Sequence, residues 1–273
     1  MIPLRDNIPS RSTPFVNYFV IVTCTLVFLA QLGESRGQGS LIERYGMIPV
    51  RVIHPNRPVE MADYELVRTP FDIRYHEVTR QAAESAVAPW LTVLTCIFLH
   101  GGWMHFLGNM WFLYIFGDNV EDRFGHFGYL MFYLGCGIAA SLTHLLTNLG
   151  GPSVSVPTIG ASGAIAGVMG AYFLLYPRAK VVTIVPILFF IQIIVLPASI
   201  FLGIWFAIQI FQGTSMQSTG VAWWAHIGGF LVGMLLAWQL KQHHKLRPPV
   251  ERVLPHTDHV TAYRFRRQDN PWH

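Results

Sequence analysis

Charge is what this chain has least of. Only 12% of its 273 residues are Asp, Glu, Lys or Arg, about half the share carried by a soluble domain. None at all falls within 15–33, 85–117, 124–177 or 181–240. Runs of that length exclude an ordinary soluble globule, because about 20 apolar residues already suffice to cross a bilayer. Cysteine is scarce as well. Cys24, Cys96 and Cys136 all sit in apolar segments without metal-ligand spacing, so neither a disulfide nor a metal site is expected. Histidine is plentiful at 12, yet no His-Glu-x-x-His pattern that would mark a zinc protease occurs.

What is present is apolar and segmented: 52% of the residues are hydrophobic, and glycines, prolines and polar clusters divide the runs. The spacing predicts an all-α polytopic membrane protein with six spans, near 14–33, 103–117, 127–147, 162–176, 197–212 and 222–241. The stretch 181–196, bracketed by Pro186 and Pro197, is too short to span comfortably and reads as an interfacial or re-entrant connection. The first span follows Arg5 and Arg11 as a signal peptide would. Its apolar core exceeds the roughly 7–15 residues of such a signal and no small-x-small cleavage site follows, so it reads as an anchor.

Positive charge orients the bundle. Arg178 and Lys180 follow the fourth span, and the tail carries Lys241, Lys245, Arg247, Arg252, Arg264, Arg266 and Arg267, while the connections 148–161 and 213–221 carry no charge. By the positive-inside rule the tail is cytoplasmic, and six spans return the N-terminus to the same side. The division expected is a cytoplasmic N-terminus at 1–13, a first transmembrane helix at 14–33, an external surface loop at 34–88, a core holding the other five helices at 89–241, and a basic cytoplasmic tail at 242–273. A tail facing the membrane accounts for the net charge of +4, and no nucleic-acid partner is needed.

With both ends inside, the second, fourth and sixth spans all begin at the outer surface. His105 and Asn109 then lie in the first turns of the second span, Ser162 opens the fourth, and His226 stands about one turn into the sixth. At about 1.5 Å per residue all four fall in the outer third of the membrane. A serine hydroxyl needs a neighbouring base to accept its proton, and a neutral imidazole is the usual one; Ser162 and His226 fit those parts. The N–H of Ser162 at a helix start, with His105 and Asn109 four residues apart on one face, could hold a developing oxyanion. Gly160, Gly163, Gly167 and Gly170 around the fourth span, and Gly229 and Gly233 on the sixth, would let the two backbones approach closely. The nearest acids, Asp118, Glu121 and Asp122, follow the second span at the opposite end, so the expectation is a Ser-His dyad and no triad. Gly-Ala-Ser-Gly as a packing motif, and the histidines and Asn109 as interhelical packing groups, stand beside this reading.

Three blocks, from His100 through His105 to Asn109, from Gly160 to Gly163 with Ser162, and from Ala225 through His226 to Gly233, occur in an order and spacing that resemble the rhomboid family of intramembrane serine proteases. Glu121 to Gly125 also fits the family's pattern, and the likeness runs from about Trp90 to Leu240. The resemblance implies a six-helix rhomboid-like bundle, Ser162 as nucleophile, His226 as base and His105 and Asn109 as oxyanion donors. It further implies a serine-type endopeptidase acting on single-span membrane protein substrates near their outer end, with membrane lipid as its surroundings and no metal or other cofactor. One departure is Ala166, where some members carry a tyrosine stacked on the histidine, which leaves the orientation of His226 open. The alternative is a rhomboid-like non-catalytic protein that binds membrane clients, and loss of Ser162 or His226 would have marked it. A transporter would want mid-membrane charges and internal repeats. The location expected is a bacterial cytoplasmic (inner) membrane.

Several finer expectations follow. His100 and His105 should lie on different faces, His126 and His144 near the membrane interfaces, and the small polar segment 213–220 should form a lid over the site.

Overall fold

The computed structural model describes residues 1–34, 39–68, 73–151, 153–187, 190–215 and 220–248. Six helices carry the apolar sequence: α1 (Phe15–Leu32), α5 (Trp103–Phe124), α6 (His126–Thr147), α7 (Ser162–Leu175), α8 (Ala198–Thr214) and α9 (Trp223–Gln242). They match the segments read from the sequence, except that α5 runs seven residues past 117 through the polar stretch ending at Phe124. Between α1 and α5 lie the short helices α2 (Leu41–Tyr45), α3 (Pro49–Ile53) and α4 (Thr92–Thr95), the last flanked by 3-10 turns.

By length and apolarity α1, α6 and α9 can each cross a membrane, and α5 with the preceding Pro89–Phe98 makes a fourth candidate bent by 78°. Helices α7 and α8 are apolar but shorter. Large apolar side chains such as Phe19, Leu26, Phe127, Ile204 and Leu235 point outward, as they must where the solvent is lipid. Helix α7 is the axis of the bundle. Every residue from Gly163 to Tyr172 is buried, and the helix packs against α5, α6, α8 and α9.

The polar end of α5 explains why that helix is so long. Helix α1 starts after Pro14 with no side-chain cap of its own. Glu121 takes that part from the neighbouring helix, accepting from Val16 N–H at 3.0 Å and Asn17 N–H at 2.7 Å. Asn17 in turn donates to the Leu113 carbonyl and accepts from the Tyr129 hydroxyl. Asp122 accepts from Arg11 and Ser12, and Arg247 donates its backbone N–H to the Arg123 carbonyl. The N-terminal segment, the end of α5 and the start of the tail therefore meet at one end of the bundle. The tail beyond residue 248, with four of its basic residues, lies outside the described residues.

The chain is not purely helical, which corrects the all-α expectation. Strand β1 (Ile2–Arg5) pairs with β4 (Lys180–Ile187), and β4 with β5 (Phe190–Pro197), in an antiparallel sheet of order β1-β4-β5. The stretch read as interfacial or re-entrant is thus mostly a hairpin. Its β-branched run Val181, Val182, Thr183, Ile184 and Val185, paired with Leu196, Val195, Ile194, Ile193 and Gln192, favours extended backbone, and eight residues at about 3.3 Å each give a strand where a helix would be too short to span. The 34–88 connection also has structure: α2, α3 and a hairpin of β2 (Glu60–Arg68) with β3 (Ile73–Gln81). Buried Glu43 fastens it, accepting from Arg80 at 2.6 Å and from the Gly39 and Ala83 N–H groups. Arg51 donates to the Glu43 and Ala83 carbonyls.

Candidate active site

The fourth apolar helix begins at Ser162 because the chain turns just before it. Gly160 has φ +126°, a left-handed conformation that disfavours side chains, and a Cβ there would lie 2.7 Å from Nε2 of His105. Only glycine brings the backbone this close to that imidazole while delivering Ser162 to the first turn of α7.

Helix α9 then lies directly on α7. A Cβ at Gly229 would stand 2.0 Å from the Gly163 carbonyl oxygen, and one at Gly233 would stand 2.1 Å from that of Gly167. Gly163 and Gly167 are tight on their other side too, against Ala140 and Cys136 of α6. With the backbones in contact, a short side chain on α7 reaches one on α9. Ser162 Oγ lies 2.8 Å from Nε2 of His226, a hydrogen bond in length.

The other ring nitrogen of His226 faces α8, where Nδ1 lies 2.7 Å from Oε1 of Gln209. Trp205 lies beside the ring, centroids 6.0 Å apart and planes at 34°, and Trp223 meets it edge-on at 6.0 Å. These groups surround the imidazole, while position 166 on α7 carries only the methyl of Ala166. Gln209 was not singled out from the sequence, although a polar side chain inside an apolar span was the available signal.

His105 and Asn109 line the same cavity as Ser162 and His226, a space of about 920 Å³. Nδ1 of His105 accepts the Gly101 N–H at 3.3 Å, so the ring hydrogen belongs on Nε2, the nitrogen that a Cβ on Gly160 would meet. The Nδ2 of Asn109 is buried and has no hydrogen-bond partner among the described residues. Both donors belong to residues that wall the space beside the serine, and an unmade bond of a buried amide is one that a developing anion could complete.

The acids stand apart from this cluster. Asp118, Glu121 and Asp122 lie within the last two turns of α5, at its far end, and Glu121 and Asp122 are engaged with α1, Arg11 and His126. His126 is at its expected end. His144 is in the last turn of α6, near the end of its span as expected, and there it is buried and part of the cavity wall. His100 and His105 do not lie apart as expected; their rings meet at 5.4 Å. The reason is that His100 precedes α5 in a bend whose backbone is clasped on both sides by Gln31, so helical spacing does not apply to it. Of the segment read as a lid, 216–219 lie outside the described residues, while Gly213, Ser215 and Gly220 border the cavity.

Fold and site together define a class, a helical polytopic membrane protein with a serine and a histidine joined across two closely packed helices. A family model, the Rhomboid domain, matches residues 88–243, more than half of the sequence. The chain belongs to the rhomboid family. It is 35% identical over 157 residues to Rhomboid-like protein 11, chloroplastic, of Arabidopsis thaliana, covering 56% of this chain and 53% of that protein. It is 24% identical over 200 residues to Rhomboid protein 1, mitochondrial, of Saccharomyces cerevisiae, covering 71% and 54%. Rhomboid protease GluP of Bacillus subtilis is 36% identical over 86 residues, 32% of this chain and 16% of that protein. The chain spans about half the length of the first two. Membership makes it an integral membrane protein; with relatives named for a chloroplast and a mitochondrion, and one from a bacterium, it does not select a bacterial inner membrane.

Proposed function

We propose that the protein is an intramembrane serine endopeptidase that cleaves single-span membrane proteins near the outer end of their transmembrane segment. The observation that carries this reading is the 2.8 Å contact between Ser162 Oγ and His226 Nε2 inside a cavity also lined by His105 and Asn109. The printed name of GluP, a rhomboid protease, supports the same activity class.

In this reading His226 accepts the hydroxyl proton as Ser162 Oγ attacks the scissile carbonyl carbon. The carbonyl oxygen becomes an oxyanion, received by the Ser162 N–H at the start of α7 and by the side chains of His105 and Asn109. Collapse breaks the C–N bond, and the imidazolium returns its proton to the leaving amine. Water then attacks the acyl-serine ester with His226 again as base, releasing the acid and restoring the hydroxyl.

Six crossings are part of the proposal: α1, α5, α6, α7, α8 and α9, with both termini and the basic tail on the cytoplasmic side. The 14 residues of α7 rise only about 21 Å, less than the bilayer core of about 30 Å. A helix that short can begin below the outer surface because the other helices shield it, and in this reading Ser162 sits in a recess open to water at the depth of a substrate's outer turn.

The test is cleavage of a model single-span substrate in proteoliposomes. Wild-type protein is expected to cut within the outer third of the substrate's span, with Ser162→Ala and His226→Ala inactive though folded. Binding of the substrate without any cleavage by the wild type would instead make the protein a client-binding rhomboid relative.

A further inference from the structure

Helix α8 forms one wall of the cavity and is apolar along most of its length, with Ile200, Ile204, Ile208 and Phe211 facing outward. One polar side chain on it is buried, Gln209, at 4% exposure. Its amide is fixed at both ends. Nε2 donates to the Trp205 carbonyl one turn earlier at 3.1 Å, which leaves Oε1 to face His226 Nδ1 at 2.7 Å.

An amide oxygen can only accept, so Nδ1 of His226 must carry the hydrogen. In a neutral imidazole the lone pair then lies on Nε2, the atom 2.8 Å from Ser162 Oγ. The other tautomer would set a lone pair against the Gln209 oxygen and an N–H against the serine, and could take no proton from it. We propose that Gln209 is the positioning residue of this site, holding His226 in the one tautomer and ring orientation in which Nε2 can accept the proton of Ser162. The inference deepens the Ser-His reading and rests on it.

A neutral acceptor suits this position. Its amide oxygen bonds the ring N–H while the other end of the same group is already satisfied by Trp205. The ring itself is placed from the same helix, because Trp205 flanks it. A single element, α8, thus sets both the tilt and the tautomer of a base carried by α9.

The experiment uses the full-length protein in proteoliposomes and reads two rates, phosphonylation by a fluorophosphonate probe and cleavage of a single-span substrate. Gln209→Met keeps the length and packing but offers no strong acceptor. It is expected to lower the phosphonylation rate and kcat together by about 10- to 100-fold with KM within about twofold, as for an interaction needed only once proton transfer begins. Gln209→Glu offers an acceptor oxygen whether ionised or protonated, and is expected to recover at least a third of the wild-type kcat. A side chain that merely packs predicts the reverse order, with methionine tolerated and the acid harmful. Should Gln209→Met fail to fold, Gln209→Asn serves in its place, since it keeps the amide but withdraws the oxygen by one methylene and should lose kcat. The inference is overturned if Met, or Asn in its stead, keeps both rates within about threefold of wild type, or if Glu falls to the Met level or below. A wild-type protein whose label does not map to Ser162 would instead overturn the underlying reading and leave Gln209 nothing to position.

Discussion

Gly229 of α9 lies so close to Gly163 of α7 that a Cβ on the first would stand 2.0 Å from the carbonyl oxygen of the second. The obstacle is backbone, which cannot rotate aside, so any side chain at Gly229 must push the two helices apart. Ser162 and His226 ride on those same helices one turn or less away, and their 2.8 Å contact is set by the same approach.

Gly229→Ala is therefore expected to lower stability by about 1–3 kcal/mol and to reduce cleavage more than folding, because even a 1 Å separation breaks the hydrogen bond. Gly135→Ala, on α6 with nothing within 4 Å of the added Cβ, is the control and should be nearly neutral. Thermal unfolding in detergent and substrate cleavage, measured side by side, check both.

The acids of α5 give a second prediction. Because Glu121 and Asp122 are bound at the far end of the bundle, Glu121→Gln and Asp122→Asn should each leave the chemical step within about tenfold. Loss of a triad's acid function costs about 10⁴-fold. Glu121→Gln should show itself in stability instead, since it weakens the cap of α1. A fall in kcat near the triad value for either variant would contradict the dyad.

Asn109 offers a third. Its buried Nδ2 has no partner among the described residues, and in the proposed mechanism its bond is gained as charge develops on the substrate. Asn109→Ala is expected to lower kcat by about 10²-fold or more with little change in KM. His105→Ala should behave alike, though the ring also receives the Gly101 N–H. Raised KM with unchanged kcat would assign these residues to ground-state binding.

Substrate choice follows from the depth proposed for the serine. A spanning helix has its amides bonded internally, so a scissile carbonyl becomes available only where a turn unwinds. Changing the Gly and Pro residues near the cut of a model substrate to Leu should slow cleavage in bilayers by at least about tenfold. Equal rates at the same site would show that unwinding does not select substrates.

Much of this was legible in the sequence, for physical reasons that differ from element to element. Charge-free runs located the six main helices to within a few residues at most ends, because lipid tolerates few exceptions. The ends that failed are instructive. Helix α5 continues to Phe124 because Glu121 and Asp122 are consumed by partners about a hundred residues away in sequence, which no local pattern reveals. The hairpin β4–β5 was hidden because an apolar β-branched run reads alike for a buried strand and for a short membrane segment, and its β1 partner comes from the first five residues. In the site, Ser162, His226, His105 and Asn109 could be brought together by parity and depth alone. Gln209 and His100 could not. The first depends on which face of α8 meets α9, and the second on a bend in which helical spacing has no meaning.

The central claim is that Ser162 is a nucleophile made reactive by His226. The most direct measurement is to label the reconstituted protein with a fluorophosphonate and locate the adduct by peptide mass, in wild type, Ser162→Ala and His226→Ala. The account predicts a single adduct on the peptide containing Ser162, absent from Ser162→Ala and formed at least about 10³-fold more slowly in His226→Ala. Labelling that persists in folded Ser162→Ala, or that proceeds at the wild-type rate without His226, would contradict it.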